Sequence, residues 1–266
     1  MKNPIPAPWA VITLLGLVSQ ASAQDAAFDP HDLSGVWAMG TTYGPRVIGF
    51  GGNMPPMTPA GLARYMLNVP TLTTDPRVPA TDDPALSNDP SFACNPRGFP
   101  RTVYDNVVRM FELIHLDDRV LQLLQRERTL RELWMDGRAL PAGESLDNIG
   151  PSWYGHSVAE WQADELVVNT VGLDDRAWLD TAGHVKSFEA RIEERYRRID
   201  ADTLEVRMTL HDPAYYTEPW VAQPLVFTRE PRERLTYFGW YGLFSGISDL
   251  MCAPLNSQEL GRQGVY

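Results

Sequence analysis

The chain has 266 residues, 44% of them hydrophobic and 10% aromatic, and 34 acidic against 23 basic side chains give a net charge of −11. That length suits one large domain or two small ones and can bury a sizeable core. So acidic a chain excludes nucleic acid and anionic membrane surfaces as natural partners.

The chain opens with Lys2, the apolar run "WAVITLLGLV" (Trp9 to Val18) and "ASA" (Ala21 to Ala23). This order reads as a secretory signal peptide over residues 1–23, cleaved after Ala23, which sends the mature chain to the periplasm or beyond. The run is about ten residues, whereas a membrane-spanning helix needs roughly 20. No later segment is continuously apolar for longer, so no membrane insertion is expected. Losing the leader removes one lysine and no acid. Cys94 and Cys252 are the only cysteines. In an oxidising compartment the simplest reading is one disulfide tying an early loop to the C-terminal tail, with two free thiols as the alternative. A zinc site of several thiolates is excluded by count.

Residues 24–106 are rich in proline, glycine and small polar residues and read as an irregular segment packing on the strand-rich remainder of the chain. Two elements stand out there: a strand at "LSGVWAM", and a short helix at "TPAGLARYML" with Thr58 as cap and Pro59 in the first turn. Residues 107–266 read as the barrel domain. The segment "RVLQLLQRERTLREL" is rich in helix formers. The Asp136-Gly137 turn after it, expected to join two hairpin arms, argues for a strand instead. "QADELVVNT" reads as a turn entering a strand. The clearest hairpin is "SFEARIEERYRRIDADTLEVRMTLHDP", where Phe188, Ala190, Ile192, Glu194 and Tyr196 share one face and Leu204, Val206, Met208 and Leu210 answer them. "PLVFTRE" and "RLTYFGWYG" add strands. Spaced antiparallel strands predict a mainly β fold, a barrel or sandwich, without βαβ units.

Chemistry-bearing residues are few. Ser157 follows His156 without a nucleophile elbow, so serine hydrolysis is unsupported. The five histidines show no metal-ligand spacing, and no dinucleotide or phosphate loop occurs, so no metal and no cofactor are expected. Glu194 is the sharper signal: it falls on an apolar strand face, where a carboxylate is costly unless paired. Such a group suits general acid or base work. The plainer reading is a buried ion pair with Arg198 or Arg131. His156 and His184 each follow a glycine near a tryptophan and could shuttle protons, or simply pack on Trp153 or Trp161 and cap a hairpin. Eight tryptophans and ten tyrosines suit either aromatic pocket walls or a β core.

Taken together, "DGR", "PSWYGHSVAEW", "DELVVNTVGLDDRAWLD", "GHVKSFEA", "ERYRRID" and "DPAYYTEPW" resemble the motifs of a large family of uncharacterised secreted bacterial proteins. The resemblance covers roughly residues 94–225. "SGVW" also looks like the G-x-W of lipocalin-like barrels. By position, the family motif falls on Asp136, Arg138, His156, Trp161, Asp164, Trp178, His184, Glu194, Arg195, Asp212, Tyr216 and Trp220. The chain departs from the pattern at Gln125, Leu140, Lys186 and Arg191, which places any shared activity in doubt.

These readings converge on an exported, antiparallel lipocalin-like β-barrel with a proline-rich N-terminal segment and a short helix. Its expected partner is a hydrophobic, aromatic small molecule. The expected activity is that of a cofactor-independent lyase or isomerase, with His156, His184 and Glu194 catalytic. Arg131 and Arg195 would hold an anionic substrate group, and Trp153, Trp161, Trp178, Asp212, Tyr216 and Trp220 would line the site. The rival is a periplasmic carrier that binds the same kind of molecule and changes nothing; a structural envelope protein ranks third.

Overall fold

A computed structural model describes residues 28–39, 49–51, 53–73, 75–104, 110–124 and 129–231. The leader, Cys252 and the strand expected at "RLTYFGWYG" lie outside these residues, and so does Gln125.

The strands are β1 (Gly35–Met39), β2 (Met110–His115), β3 (Arg119–Leu124), β4 (Thr129–Trp134), β5 (His156–Gln162), β6 (Glu165–Val171), β7 (Arg191–Arg198), β8 (Thr203–His211), β9 (Trp220–Val221) and β10 (Leu225–Glu230). They form one sheet in sequence order up to β9, and β10 closes it by pairing with both β1 and β8. β9 and β10 lie on the same edge of β8, at Thr209 and Leu210 and at Thr203 to Val206 respectively. Together they make a single interrupted stave, so the barrel has nine staves. The fold is therefore the mainly β, mostly antiparallel, lipocalin-like barrel that the strand pattern predicts.

An odd number of staves cannot close with every neighbour antiparallel, because directions must alternate around the ring. The one parallel joint is β4 to β5, with Leu133 opposite Ser157. The chain crosses between them through helix α3 (Glu144–Ile149). Here the sequence expectation is corrected, since Asp136-Gly137 does not close a hairpin. The Asp136 carboxylate instead accepts from the backbone and guanidinium of Arg138, at 2.6 Å for the closest contact. Arg138 then lies 3.6 Å from the Trp134 ring centroid, and the turn leads outward to α3. "RVLQLLQRERTLREL" holds two strands, β3 and β4, paired antiparallel from Arg119 opposite Trp134 to Leu124 opposite Thr129.

The β7–β8 hairpin has the predicted register, from Arg191 opposite His211 to Arg198 opposite Leu204. Its inward residues are buried in strict alternation. On its outer face Glu165 of β6 accepts from both Arg195 and Arg207, bridging two arginines that face each other across the hairpin, with Glu193 and Glu205 pairing one each.

Both ends of the barrel are covered. Residues 28–34 cover the end that carries the β5–β6 and β7–β8 turns. Arg198 donates there to the carbonyls of Asp29 (3.2 Å) and Asp32 (2.8 Å), and His31 contacts the Ala163 carbonyl at 2.9 Å. The described residues between 49 and 104 cover the opposite end together with the loops at 172–190 and 212–224. Helix α1 (Pro59–Tyr65) is capped as predicted, with Gly61 N donating to Thr58 Oγ1 at 3.1 Å. α2 (Arg101–Tyr104) follows a turn carrying the buried Phe99. The core runs from Trp37, Phe111 and Phe227 inside the barrel to Phe50, Phe99, Tyr216 and Trp220 under this cover.

Candidate functional site

Two buried polar clusters stand out. The first lies inside the barrel, where Glu194 on β7 is paired with Arg131 on β4, so the ion-pair reading of this carboxylate is what the side chains make. Arg131 Nη2 donates to Glu194 Oε1 at 2.8 Å and Nη1 to Oε2 at 3.2 Å. Arg131 also donates to Gln122 Oε1 (2.7 Å), Ser157 Oγ (3.3 Å) and Thr170 Oγ1 (3.2 Å), and the Phe99 ring lies 3.7 Å from its guanidinium carbon. Tyr196 donates its hydroxyl proton to Glu194 Oε2 at 2.6 Å. Burial, and next the Glu194 charge, push the Tyr196 phenol well above its ordinary value, so it stays a donor. Burial opposes the charge on Arg131, but Glu194 outweighs it and raises the guanidinium further. The period-two alternation of five strands, β3 to β7, brings these groups to one point, and each carboxylate oxygen has at least two donors.

The second cluster lies under the covering segments. The loop Leu179 to His184 is closed by Leu179 N donating to the His184 carbonyl at 2.7 Å. Gly183 takes a left-handed φ of +84°. This curls the Asp180 carboxylate back on its own loop. Oδ1 accepts from Ala182 N (2.9 Å) and His184 N (3.2 Å), while Oδ2 accepts from Phe50 N (2.7 Å) and meets His184 Nδ1 at 2.6 Å. Burial pushes the Asp180 carboxyl up. The adjacent His184 and the backbone N–H donors outweigh burial and hold it below the ordinary carboxylate range.

Three sides of the His184 ring are fixed. Asp180 takes the Nδ1 edge, Tyr65 of α1 stacks on one face at 5.0 Å and 21°, and Trp220 meets the ring edge-on at 5.0 Å. Nε2 has no hydrogen bond to any described residue. The Tyr65 hydroxyl is buried and also without a hydrogen-bond partner among the described residues. Burial, then the Asp180 and Asp75 charges, push it up to about 12. An imidazole oriented by Asp180 therefore stacks on a phenol that keeps its proton.

Of the residues singled out in the sequence, His184, Tyr216 and Trp220 come together here. Trp220 Nε1 donates to the Gly51 carbonyl at 2.7 Å and Tyr216 to the Val185 carbonyl at 2.8 Å. Asp212 lies beside them and accepts from Ser187 N and Oγ, both at 2.7 Å. Glu194 and Arg131 belong to the other cluster. His156 shares neither, because Ser157 faces inward and its neighbour faces out. The His156 ring contacts the Gly150 carbonyl at 3.2 Å, behind the wall that holds Glu194. Trp161 lies towards the far end, against His31 at 4.4 Å. Trp153 stacks under Arg176 at 4.7 Å, and Trp178 is buried 5.7 Å from the Arg101 guanidinium. Arg195 faces outward between Glu165 and Glu193.

Sequence reasoning missed Asp180 and Tyr65, and it marked Lys186 only as a departure from the family pattern. The spacing D-x-x-x-H in "DTAGH" is the one local signal for Asp180; Tyr65 reaches His184 only through the docking of α1. Among the described residues, no three His, Cys, Asp or Glu side chains converge to hold a metal ion. No protein-family model, curated protein or solved structure matches the chain.

Proposed function

We propose that this chain is an exported enzyme, a cofactor-independent lyase or isomerase that moves a proton on an apolar, aromatic small molecule. The observation that carries this reading is the Asp180–His184 contact of 2.6 Å. A buried carboxylate fixes the tautomer and orientation of an imidazole and stabilises the imidazolium formed when Nε2 takes a proton. In this reading Nε2 of His184 is the base. The Tyr65 hydroxyl returns or steadies the proton at the leaving or rearranging atom. Tyr65, Tyr216, Trp220 and Phe50 supply the aromatic surround that favours an aromatic guest. Glu194 and Arg131 hold the barrel interior in register rather than reacting. Export would follow removal of residues 1–23 after Ala23, and the oxidising compartment would join Cys94 to Cys252.

The test is turnover against binding. The exported protein is incubated in D2O with a panel of aryl-acrylic and hydroxybenzoic acids. Deuterium incorporation or conversion is followed by proton NMR, and affinity by calorimetry. The expected result is exchange or conversion of at least one compound, reduced roughly 100-fold or more in His184→Gln with affinity largely kept. Binding without exchange in the unaltered protein would instead make it a carrier.

A further inference from the structure

Lysine is nearly absent from this chain: Lys2 and Lys186 are the only two, beside 21 arginines. Lys2 lies in the expected leader, which leaves Lys186 as the one side-chain amine of the mature protein. It is not on the surface, where lysines usually serve solubility; it is 1% exposed. Its Nζ donates to two backbone carbonyls, Asp174 at 2.7 Å and Ala177 at 2.6 Å, and forms no ion pair with any described carboxylate. The nearest acids are otherwise engaged or exposed. Asp174 is held by Arg176, and Asp212 by Ser187, while Asp175 faces solvent.

A neutral amine has two N–H donors, matching the two carbonyls, and one lone pair. An ammonium would carry a third N–H with no acceptor, buried, at the cost of an unpaired charge. Burial, opposed by Asp174, Asp175 and Asp212 and aided by Arg101, brings this amine down to about 7.

We propose that Lys186 is held as a neutral nucleophile and is a covalent capture site for small uncharged aldehydes and ketones. The Nζ lone pair adds to the carbonyl carbon, forming a C–N bond while the carbonyl oxygen takes a proton. That oxygen then leaves as water, and the second proton it needs comes from nitrogen. The resulting imine, once protonated, keeps one N–H for one of the two loop carbonyls. The surrounding Asp174, Asp175 and Asp212 disfavour anionic carbonyl compounds. Entry is through the turn 174–177, whose tip residues Asp175 and Arg176 are exposed. The same turn carries both acceptor carbonyls of Nζ, so capture requires its local opening. This site stands apart from the His184 reading, because capture is read on Lys186 itself without any turnover.

The test uses the full exported protein, folded, at pH 7, with acetaldehyde as probe and cyanoborohydride to reduce any imine by hydride transfer to its carbon. Peptide mass mapping reads the adduct at Lys186, separately from the chain's α-amino group. Nα-acetyl-lysine in the same solution is the reference. The expected result is modification of Lys186 at least tenfold faster than the reference amine, with the corresponding peptide unlabelled in Lys186→Arg. Modification no faster than the reference, or only after unfolding in urea, would overturn the proposal and leave Lys186 a sealed staple of the loop.

Discussion

Asp180 shows how much one side chain can carry. Its two oxygens meet four donors, three of them backbone N–H groups, with Phe50 coming from far along the chain. A carboxyl depressed in the folded state adds stability above its unfolded value, about 3.9, and that stability is lost as pH falls through the folded value. Asp180→Asn should therefore cost roughly 2–4 kcal/mol at pH 7, because an amide cannot accept on both sides. The deficit should shrink by pH 3, as compared by urea unfolding at the two pH values. An equal deficit at both would mean that charge is irrelevant there. The Arg131–Glu194 pair follows the rule for buried ions. Arg131→Met or Glu194→Met alone should cost about 3–5 kcal/mol, and the double change less than the two together. Strict additivity in a denaturation cycle would sink that account. Glu194 was legible because period two fixes its face, and an arginine partner could be named. Asp180 was not legible, since its role depends on a loop closure and on Phe50, which no local pattern connects.

At the scale of elements, α1 decides whether the His184 cluster exists. Thr58 N and Oγ1 donate to the carbonyls of Tyr215 (2.9 Å) and Ala214 (2.6 Å), and Gly61 lies against the same segment. A Cβ at Gly61 would stand 2.3 Å from the Tyr215 carbonyl oxygen and 2.8 Å from its Cα, both backbone atoms that cannot swing aside. Gly61→Ala should therefore destabilise by about 2–3 kcal/mol in urea and weaken the near-ultraviolet circular dichroism of the Tyr65–His184–Trp220 stack. An unchanged aromatic spectrum would mean that α1 does not position Tyr65. The cap at Thr58 was readable from Thr-Pro. The docking was not, because a glycine inside a helix signals a close approach without saying to what. The helix formers of β3 and β4 lose to tertiary context: Val120, Gln122 and Leu124 alternate inward against Arg131 and Leu133, and barrel burial outweighs weak local propensity.

For the whole molecule, the barrel was legible from strand alternation, but its stave count was not. Closure depends on β1, which comes from the proline-rich N-terminal segment, and on a parallel joint made by a crossover that the Asp136-Gly137 signal argued against. Global stability should record the buried amine and phenols together. The Lys186 amine falls to about 7 from 10.5. Between those values the unfolded chain therefore binds a proton that the folded chain lacks, and stability rises with pH by about 1 kcal/mol per unit. Burial raises the phenols of Tyr65, Tyr196 and Tyr216. Above about pH 10 unfolded tyrosines ionise while these do not, so the unfolded chain sheds protons and stability falls. The free energy of unfolding should therefore climb from about pH 7 to a maximum near pH 9–10 and then drop. Lys186→Met should flatten the rising limb and leave the falling limb in place. A rising limb that survives in Lys186→Met would assign the proton to another group and remove the case for a neutral Lys186.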